Sequence, residues 1–136
     1  MDYIKLYNLK PGDRIISPKS VLGIVKHHAI YLGQNFDGQH LIAENTFGKY
    51  VRIVLAEEFF TEYDEVTQID PFIGNGQQRR LAIERALNQM GKPYDLINFN
   101  CEHFANFVQS GQIKSDQIGI ALLLSLLLVA LIILND

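Results

Sequence analysis

The sequence predicts an α+β fold, because segments typical of short strands come first along the chain and segments typical of helices follow them. The chain has 136 residues, a length that suits one domain. Strands followed by helices are typical of the α+β class. A third observation, a long uncharged segment near the C-terminus, predicts a membrane helix beyond the folded domain. The strand-like segments are short and closely spaced, so we expect them to pair as an antiparallel sheet.

The N-terminal half contains the predicted strands. Residues 10–13 (KPGD) have the composition of a turn, because proline presets φ and glycine accepts positive φ. A short strand is predicted to begin at Arg14. Residues 21–32 are rich in β-branched and aromatic side chains, which is typical of one or two strands. Further strands are predicted at residues 40–44, 50–55 and 66–69.

Two helices are predicted after the strands. Residues 75–90 have apolar side chains at helical spacing, and Gly91 follows where a C-terminal cap belongs. Residues 100–110 are predicted to form the second helix, with Asn100 as a favourable N-cap and Gly111 as a favourable C-terminal cap.

The last segment has no charged residue between positions 118 and 134. As a helix it would rise about 26 Å, which is near the lower limit for spanning a bilayer. It is apolar on every side, and the rest of the chain is too small to bury all its faces, so a membrane span is favoured over a buried core helix. We expect a folded domain at residues 1–115 and a single-pass anchor at 116–136. Lys114, beside the anchor, favours a cytoplasmic domain.

Composition excludes several functional classes. The formal net charge is −3, and this lack of basic surplus argues against a nucleic-acid partner. The single cysteine cannot form an intrachain disulfide, which suits a reducing compartment. The N-terminal residues lack a signal-peptide core, so we expect the domain to stay where it is made. Metal-binding CxxC and HxxxH pairs are missing from the sequence, and no metal or cofactor is expected.

Cys101 is the candidate nucleophile. A lone cysteine is more often a small buried apolar residue. This one, however, follows the predicted N-cap Asn100 and lies in the first turn of a helix. Unpaired backbone N–H groups and the helix dipole favour a thiolate there, and the thiolate is the nucleophilic form.

Two of the four histidines are candidates to assist the thiol. Strand alternation puts His27 on one face with Ala29, and His28 on the other with Ile30. The smaller neighbour leaves room beside His27, which favours it as the general base. His40 begins the next predicted strand, where it would either orient His27 as a third catalytic member or simply end a turn.

The two residues after Cys101 have simpler expected roles. His103 lies two positions after the cysteine, and side chains at that spacing do not face each other on a helix. It is therefore expected to be structural or capping. Glu102 has a negative charge in the first turn, where the helix dipole favours it.

Motifs along most of the chain resemble the lecithin–retinol acyltransferase-like family, in particular its small phospholipase A/acyltransferases related to the H-Ras-like tumour suppressors. Residues 10–13 (KPGD) resemble the family's opening turn, and residues 27–33 (HHAIYLG) its histidine motif. Residues 40–41 (HL) resemble its second histidine segment, and residues 100–104 (NCEHF) its cysteine motif. The tail after residues 115–117 (SDQ) resembles its anchor.

The resemblance implies a circularly permuted papain-like (NlpC-type) fold and a set of roles. Cys101 would be the nucleophile, His27 the general base and His40 the third, polarising residue, with no metal. The implied activity is that of a thiol acyltransferase or phospholipase A. A glycerophospholipid ester would give a thioester acyl-enzyme, and the acyl group would pass to water or to an amine or hydroxyl. His28 departs from the family, which often has an aromatic residue there, and the spacing between His27 and His40 is one residue longer.

Two other functions fit the same residues. The chain resembles, more distantly, the NlpC-type cysteine peptidases of bacterial cell walls, and activity on peptides with none on phospholipid would favour that function. Alternatively, the domain is an inactive membrane-bound scaffold. The joint presence of Cys101, His27 and His40 argues against a scaffold.

Overall fold

The fold is a five-stranded antiparallel sheet with helices on both faces. It is seen in a computed structural model that describes residues 1–20 and 22–135. The strand order is β4-β3-β2-β1-β5. The strands are β1 (Arg14–Pro18), β2 (Lys26–Gln34), β3 (His40–Asn45), β4 (Val51–Leu55) and β5 (Gln68–Asp70). This confirms the predicted α+β class and the antiparallel sheet.

The helices include the three predicted from the sequence and two more. They are α1 (Tyr3–Leu6), α2 (Ala56–Glu62), α3 (Gly76–Asn88), α4 (Cys101–Ser110) and α5 (Asp116–Asn135). The short α1 escaped prediction because four residues are too few to show an apolar repeat. Asp2 caps α1 by accepting a hydrogen bond from the Lys5 backbone.

The central strand β2 separates two apolar cores. Ala29 belongs to the core that contains Phe59 of α2. Its neighbour Ile30 belongs to the core that contains Phe104 of α4. Side chains alternate across a strand, so the histidine pair that begins β2 is divided between the same two faces. The predicted assignment of residues 27 and 28 to opposite faces is therefore confirmed.

The start of β2 has an open edge that brings the two halves of the chain together. The ladder between β2 and β3 begins at Ala29 and Glu44, so the first residues of β2 extend past it. The segment that enters α4 lies beside them. Asn45 donates a side-chain hydrogen bond to the carbonyl of Phe99 at 2.8 Å, and Cys101 Sγ lies 3.6 Å from the Lys26 carbonyl oxygen.

Two predicted strands have different bounds in the structure. Within residues 21–32, β2 begins only at Lys26, and the described residues before it form a turn that the Lys19 amide closes on the Val25 carbonyl at 2.8 Å. The strand predicted at 66–69 begins two residues later and ends one residue later, as β5. Val21, at the start of the first segment, and Asp136, at the end of the predicted anchor, lie outside the described residues.

The helix α5 is long and apolar enough to cross a membrane. None of its Asp116–Leu134 stretch is buried by the rest of the chain, which fits the prediction that the folded domain cannot cover it. Its first turn is nevertheless bonded to α4, because Glu102 accepts hydrogen bonds from the Gln117 backbone at 3.1 Å and from the Ser115 hydroxyl.

Candidate active site

The N-terminus of α4 holds Cys101 through a reciprocal capping arrangement. The Asn100 side-chain oxygen accepts from the backbone N–H groups of Glu102 and His103, both at 3.0 Å. In return, His103 Nδ1 accepts the backbone N–H of Asn100 at 3.1 Å. This is a capping box with histidine at the position that glutamate or glutamine usually occupies. The predicted capping role of His103 is confirmed.

A buried carboxylate orients His27. The imidazole is fully buried, and its Nε2 atom lies 2.7 Å from Glu44 Oε2. Arg52 donates two hydrogen bonds to the other carboxylate oxygen, at 3.0 and 2.7 Å. The Tyr63 ring stacks on the imidazole with centroids 4.4 Å apart. Three strands therefore contribute to one series of hydrogen-bonded side chains, Arg52–Glu44–His27. The Tyr63 ring packs over the imidazole at its end.

The charges in this chain support one another. Burial alone would raise the pKa of Glu44, but the hydrogen bonds and charges of His27 and Arg52 bring that pKa below its ordinary value. Burial would likewise lower the pKa of His27, yet interaction with Cys101 and Glu44 raises it. Glu44 is consequently ionised at neutral pH, and it stabilises the protonated form of His27.

Cys101 lies where His27 can act on it. The cysteine is only 4% exposed, and burial by itself would raise the pKa of the thiol. The hydrogen bond and charge of His27, with the backbone N–H of His28, lower that pKa overall. Nε2 of His27 is hydrogen-bonded to Glu44. Nδ1 has no hydrogen-bond partner among the described residues. Nδ1 is therefore the ring atom available to the thiol.

His40 does not lie in this group, which corrects the prediction that it orients His27. Its Nδ1 pairs with the Tyr31 hydroxyl at 2.6 Å, and its Nε2 lies 3.1 Å from the Gln34 amide nitrogen. The physical reason is register, because His40 is opposite Gln34 at the far end of β2. Glu44, four residues further along β3, occupies the orienting position instead.

The sequence contains a signal for Glu44 as the third residue. Glu44 is an acidic residue in the strand segment HLIAEN, and it is only 1% exposed. A charge at a buried strand position requires a partner. The prediction of His40 as the third residue rests on side-chain type and not on this buried charge. Arg52 has no comparable sequence signal, because its place opposite Glu44 follows from the register of β3 and β4.

A second polar cluster lies on the other face of β2. Glu102 is buried and accepts hydrogen bonds from the first turn of α5, with Gln117 Nε2 at 3.3 Å. The same Gln117 nitrogen lies 3.5 Å from His28 Nε2. Burial, with the charge of Arg14, lowers the pKa of His28 to about 4, so this imidazole is neutral. Glu102 therefore does more than complement the helix dipole, because it fixes α5 to the helix that carries Cys101.

A separate cavity lies away from these residues. A cavity of about 830 Å³ lies between α1, the β2–β3 turn and the start of α2, with His40 in its lining and neither Cys101 nor His27. Within residues 1–20 and 22–135, no three His, Cys, Asp or Glu side chains are grouped so that they could hold a metal ion.

Comparison with known families identifies the class of fold. The family model of permuted papain-like amidase enzymes, YaeF/YiiX, the C92 family, matches residues 9–107. A comparison with curated protein sequences finds no match. The matching model supports the predicted permuted papain-like fold, but it is an amidase family and not the acyltransferase family expected from the motifs. The match covers the strands of the sheet, the candidate base and the start of the cysteine helix, and the chain belongs to this family of permuted papain-like amidases.

Proposed function

We propose that the protein is a cysteine amidase in which Cys101 is the nucleophile, His27 the general base and acid, and Glu44 the residue that orients His27. One observation supports this most directly: the buried His27–Glu44 pair lies beside a cysteine whose pKa is lowered. A nucleophile, a base and an orienting group in this order are the components of papain-like catalysis. The family match to amidases favours an amide substrate.

In the first step the Cys101 thiolate attacks the carbonyl carbon of the amide. The C–N bond then breaks, and the amine leaves with the proton that the His27 imidazolium supplies. The product that remains on the enzyme is a thioester. Glu44 stabilises the imidazolium until the proton is transferred.

In the second step water attacks the thioester while His27 accepts one of its protons. The C–S bond breaks, a carboxylic acid leaves, and the Cys101 thiolate and His27 imidazolium are restored. The oxyanion of each tetrahedral intermediate needs a donor. The first-turn amides of Glu102, His103 and Phe104 already donate to Asn100. The backbone N–H of Cys101 is the helix amide that we assign to the oxyanion.

A second candidate is acyl transfer from an ester lipid, as the motif resemblance implies. It uses the same thioester and differs in the leaving group, which would be an alcohol. The exposed apolar helix α5 favours this candidate, because a membrane anchor would hold the site beside a glycerophospholipid.

We also propose that α5 spans a membrane once and that the domain faces the cytoplasm. Support comes from the uncharged run of α5 and from Lys114 just before it. The proposed division is the one expected from the sequence, a catalytic domain at residues 1–115 and an anchor at 116–136.

The test compares amide and ester donors on the purified full chain in detergent. Acyl-protein would be detected by intact mass spectrometry, with N-acyl amides and short acyl-peptides in one series and a diacyl glycerophospholipid in the other. We expect a thioester from an amide donor, mapped to Cys101 and missing in Cys101→Ser and His27→Ala. Glu62→Gln is the matched control, because Glu62 is exposed and near Arg52 but makes no bond to His27.

The other outcomes decide between the alternatives. Acyl-protein from the phospholipid alone would replace the amidase proposal with acyl transfer. A Cys101 that reacts with neither series and resists alkylation by iodoacetamide would leave the inactive scaffold as the remaining function.

A further inference from the structure

The turn between β1 and β2 exposes apolar side chains beside the candidate active site. Leu22 is 80% exposed, Ile24 74% and Val25 49%. The turn is closed by the hydrogen bond from the Lys19 amide to the Val25 carbonyl at 2.8 Å. Tight turns usually have glycine, proline, asparagine, aspartate or serine. Neighbouring apolar side chains on an exposed turn indicate a contact with another surface.

This turn is joined directly to the start of α5. Lys26, the residue after the turn, donates its backbone N–H to Gln117 Oε1 at 3.1 Å. Gln117 immediately precedes the uncharged run of α5. The four residues 22–25 reach at most about 14 Å from Lys26, even if fully extended. The apolar turn is therefore held close to the point at which α5 would enter a bilayer.

Basic residues surround the same point. Lys19 and Lys26 flank the turn, and Lys114 lies just before α5, while Asp116 is the acidic residue in the first turn of that helix. Lysines beside an apolar surface suit the headgroup layer of a membrane that contains anionic lipids. A site for a soluble protein partner would not need to adjoin the apolar helix.

We infer that residues 22–25 insert into the interfacial layer of the bilayer that α5 spans, with Lys19, Lys26 and Lys114 in the headgroup region. The inference rests on the proposed membrane span. The carbonyl of Lys26 lies 3.6 Å from Cys101 Sγ. The thiol is consequently next to the membrane surface, and contact of the turn with lipid orients the domain on that surface.

A single introduced tryptophan tests this contact, because the chain contains none. The full chain with Ile24→Trp would be reconstituted into vesicles of phosphatidylcholine and phosphatidylglycerol with or without bromine on the acyl chains. Ser125→Trp, within α5, is the control for insertion. Phe36→Trp is the matched control, since Phe36 is also exposed but follows the far end of β2, a strand about 26 Å long at the usual rise per residue.

We expect brominated lipid to quench the emission of Ile24→Trp and Ser125→Trp strongly and that of Phe36→Trp little. Equal emission of Ile24→Trp in brominated and unbrominated vesicles would overturn the inference, as would an emission that depends on protein concentration and not on bromine. Failure to quench Ser125→Trp would overturn it too, by showing that α5 is not inserted. Acylation of Cys101, measured on the same proteins in detergent before reconstitution, tests the proposed function separately.

Discussion

The imidazole of His27 has its charge partner on the neighbouring strand. Glu44 is buried and bonded on both oxygens, to His27 on one side and to Arg52 on the other. A carboxylate held in this way stays ionised, and it fixes both the orientation and the tautomer of the histidine. His40 is bonded to Tyr31 instead. Single substitutions can therefore test whether Glu44 or His40 orients His27.

Glu44→Gln keeps the size of the side chain and removes its charge. We expect kcat/KM to fall by roughly 100-fold or more, because His27 loses the group that orients it and raises its pKa. Steady-state kinetics with the donor that acylates Cys101 would measure this loss. Glu62→Gln, the same change near Arg52, should remain close to wild type, and an equal loss in both variants would contradict the assignment.

His40→Ala should leave the reaction nearly intact. We expect kcat/KM within about three-fold of wild type, because His40 lies at the far end of β2 from the thiol. The loss of its hydrogen bond to Tyr31 should instead destabilise the fold by about 1 kcal/mol, measured by urea unfolding. A loss of activity as large as that of Glu44→Gln, with unchanged stability, would restore His40 to the site.

The reactivity of Cys101 should depend on pH in a way that reports on His27. The pKa of the thiol is lowered and that of the imidazole is raised, and both shifts favour the thiolate–imidazolium pair over the neutral pair. Iodoacetamide should therefore alkylate Cys101 at a pH below the ordinary thiol pKa of about 8.5, with the rate falling as the pH drops through the lowered value. In His27→Ala the pH midpoint of alkylation should be higher, because burial raises the pKa of the thiol and the imidazolium no longer lowers it. An unchanged midpoint would mean that His27 does not interact with the thiol.

At the scale of elements, α4 and α5 are connected through one buried carboxylate. Glu102 is 6% exposed, and it accepts hydrogen bonds from Ser115 and Gln117 in the segment that leads into α5. These bonds hold the pKa of Glu102 below its ordinary value, although burial acts in the opposite direction. The contacts of the folded unit therefore extend to Gln117, within the segment expected to be the anchor.

Two shortened chains would test this dependence. A chain ended after Ile118 keeps every partner of Glu102, whereas one ended after Ile113 leaves the carboxylate buried without them. We expect the shorter chain to be less stable by roughly 1–3 kcal/mol in urea unfolding, because a buried acceptor has lost its donors. The longer chain with Ser115→Ala and Gln117→Ala should show a similar loss. Equal stability of the longer chain, the shorter chain and the substituted longer chain would show that the hydrogen bonds to Glu102 contribute nothing to the fold.

At the scale of the whole molecule, the buried His28 makes the stability of the fold depend on pH. His28 faces Arg14 and Glu102 from the elements packed around it. Its folded pKa of about 4 is depressed from 6.5, so the unfolded chain binds the proton first. The contribution of His28 is fully present above about pH 6.5 and decreases as the pH falls towards about 4.

His28→Phe removes this titration and keeps a side chain that fills space between β2 and α4. Between about pH 7 and about pH 5, wild type should lose about 2 kcal/mol more unfolding free energy than the variant. Urea unfolding of both proteins in the same detergent at the two pH values would measure the difference. Parallel curves would show that His28 has the same pKa in the folded and unfolded states, and would contradict the lowered folded value.

Local patterns in the sequence were sufficient for most of the elements. The strand segments, the capped helix at Cys101 and the alternation of His27 and His28 across β2 follow from side-chain periodicity and cap chemistry, which act over a few residues. The uncharged run of α5 is likewise visible in composition alone. These features were predicted because neighbours along the chain determine them.

The register of the sheet and the packing of distant segments were decided only by the tertiary structure. Register puts Glu44 beside His27 and His40 at the far end of β2, and a shift of pairing exchanges which side chains meet. The bonds of Glu102 to the first turn of α5, and the position of the apolar turn beside it, also join residues far apart in sequence. The sequence alone determined the candidate nucleophile, its base and the apolar helix. The third residue and the link between the site and that helix required the folded chain, because each depends on a contact that no local pattern encodes.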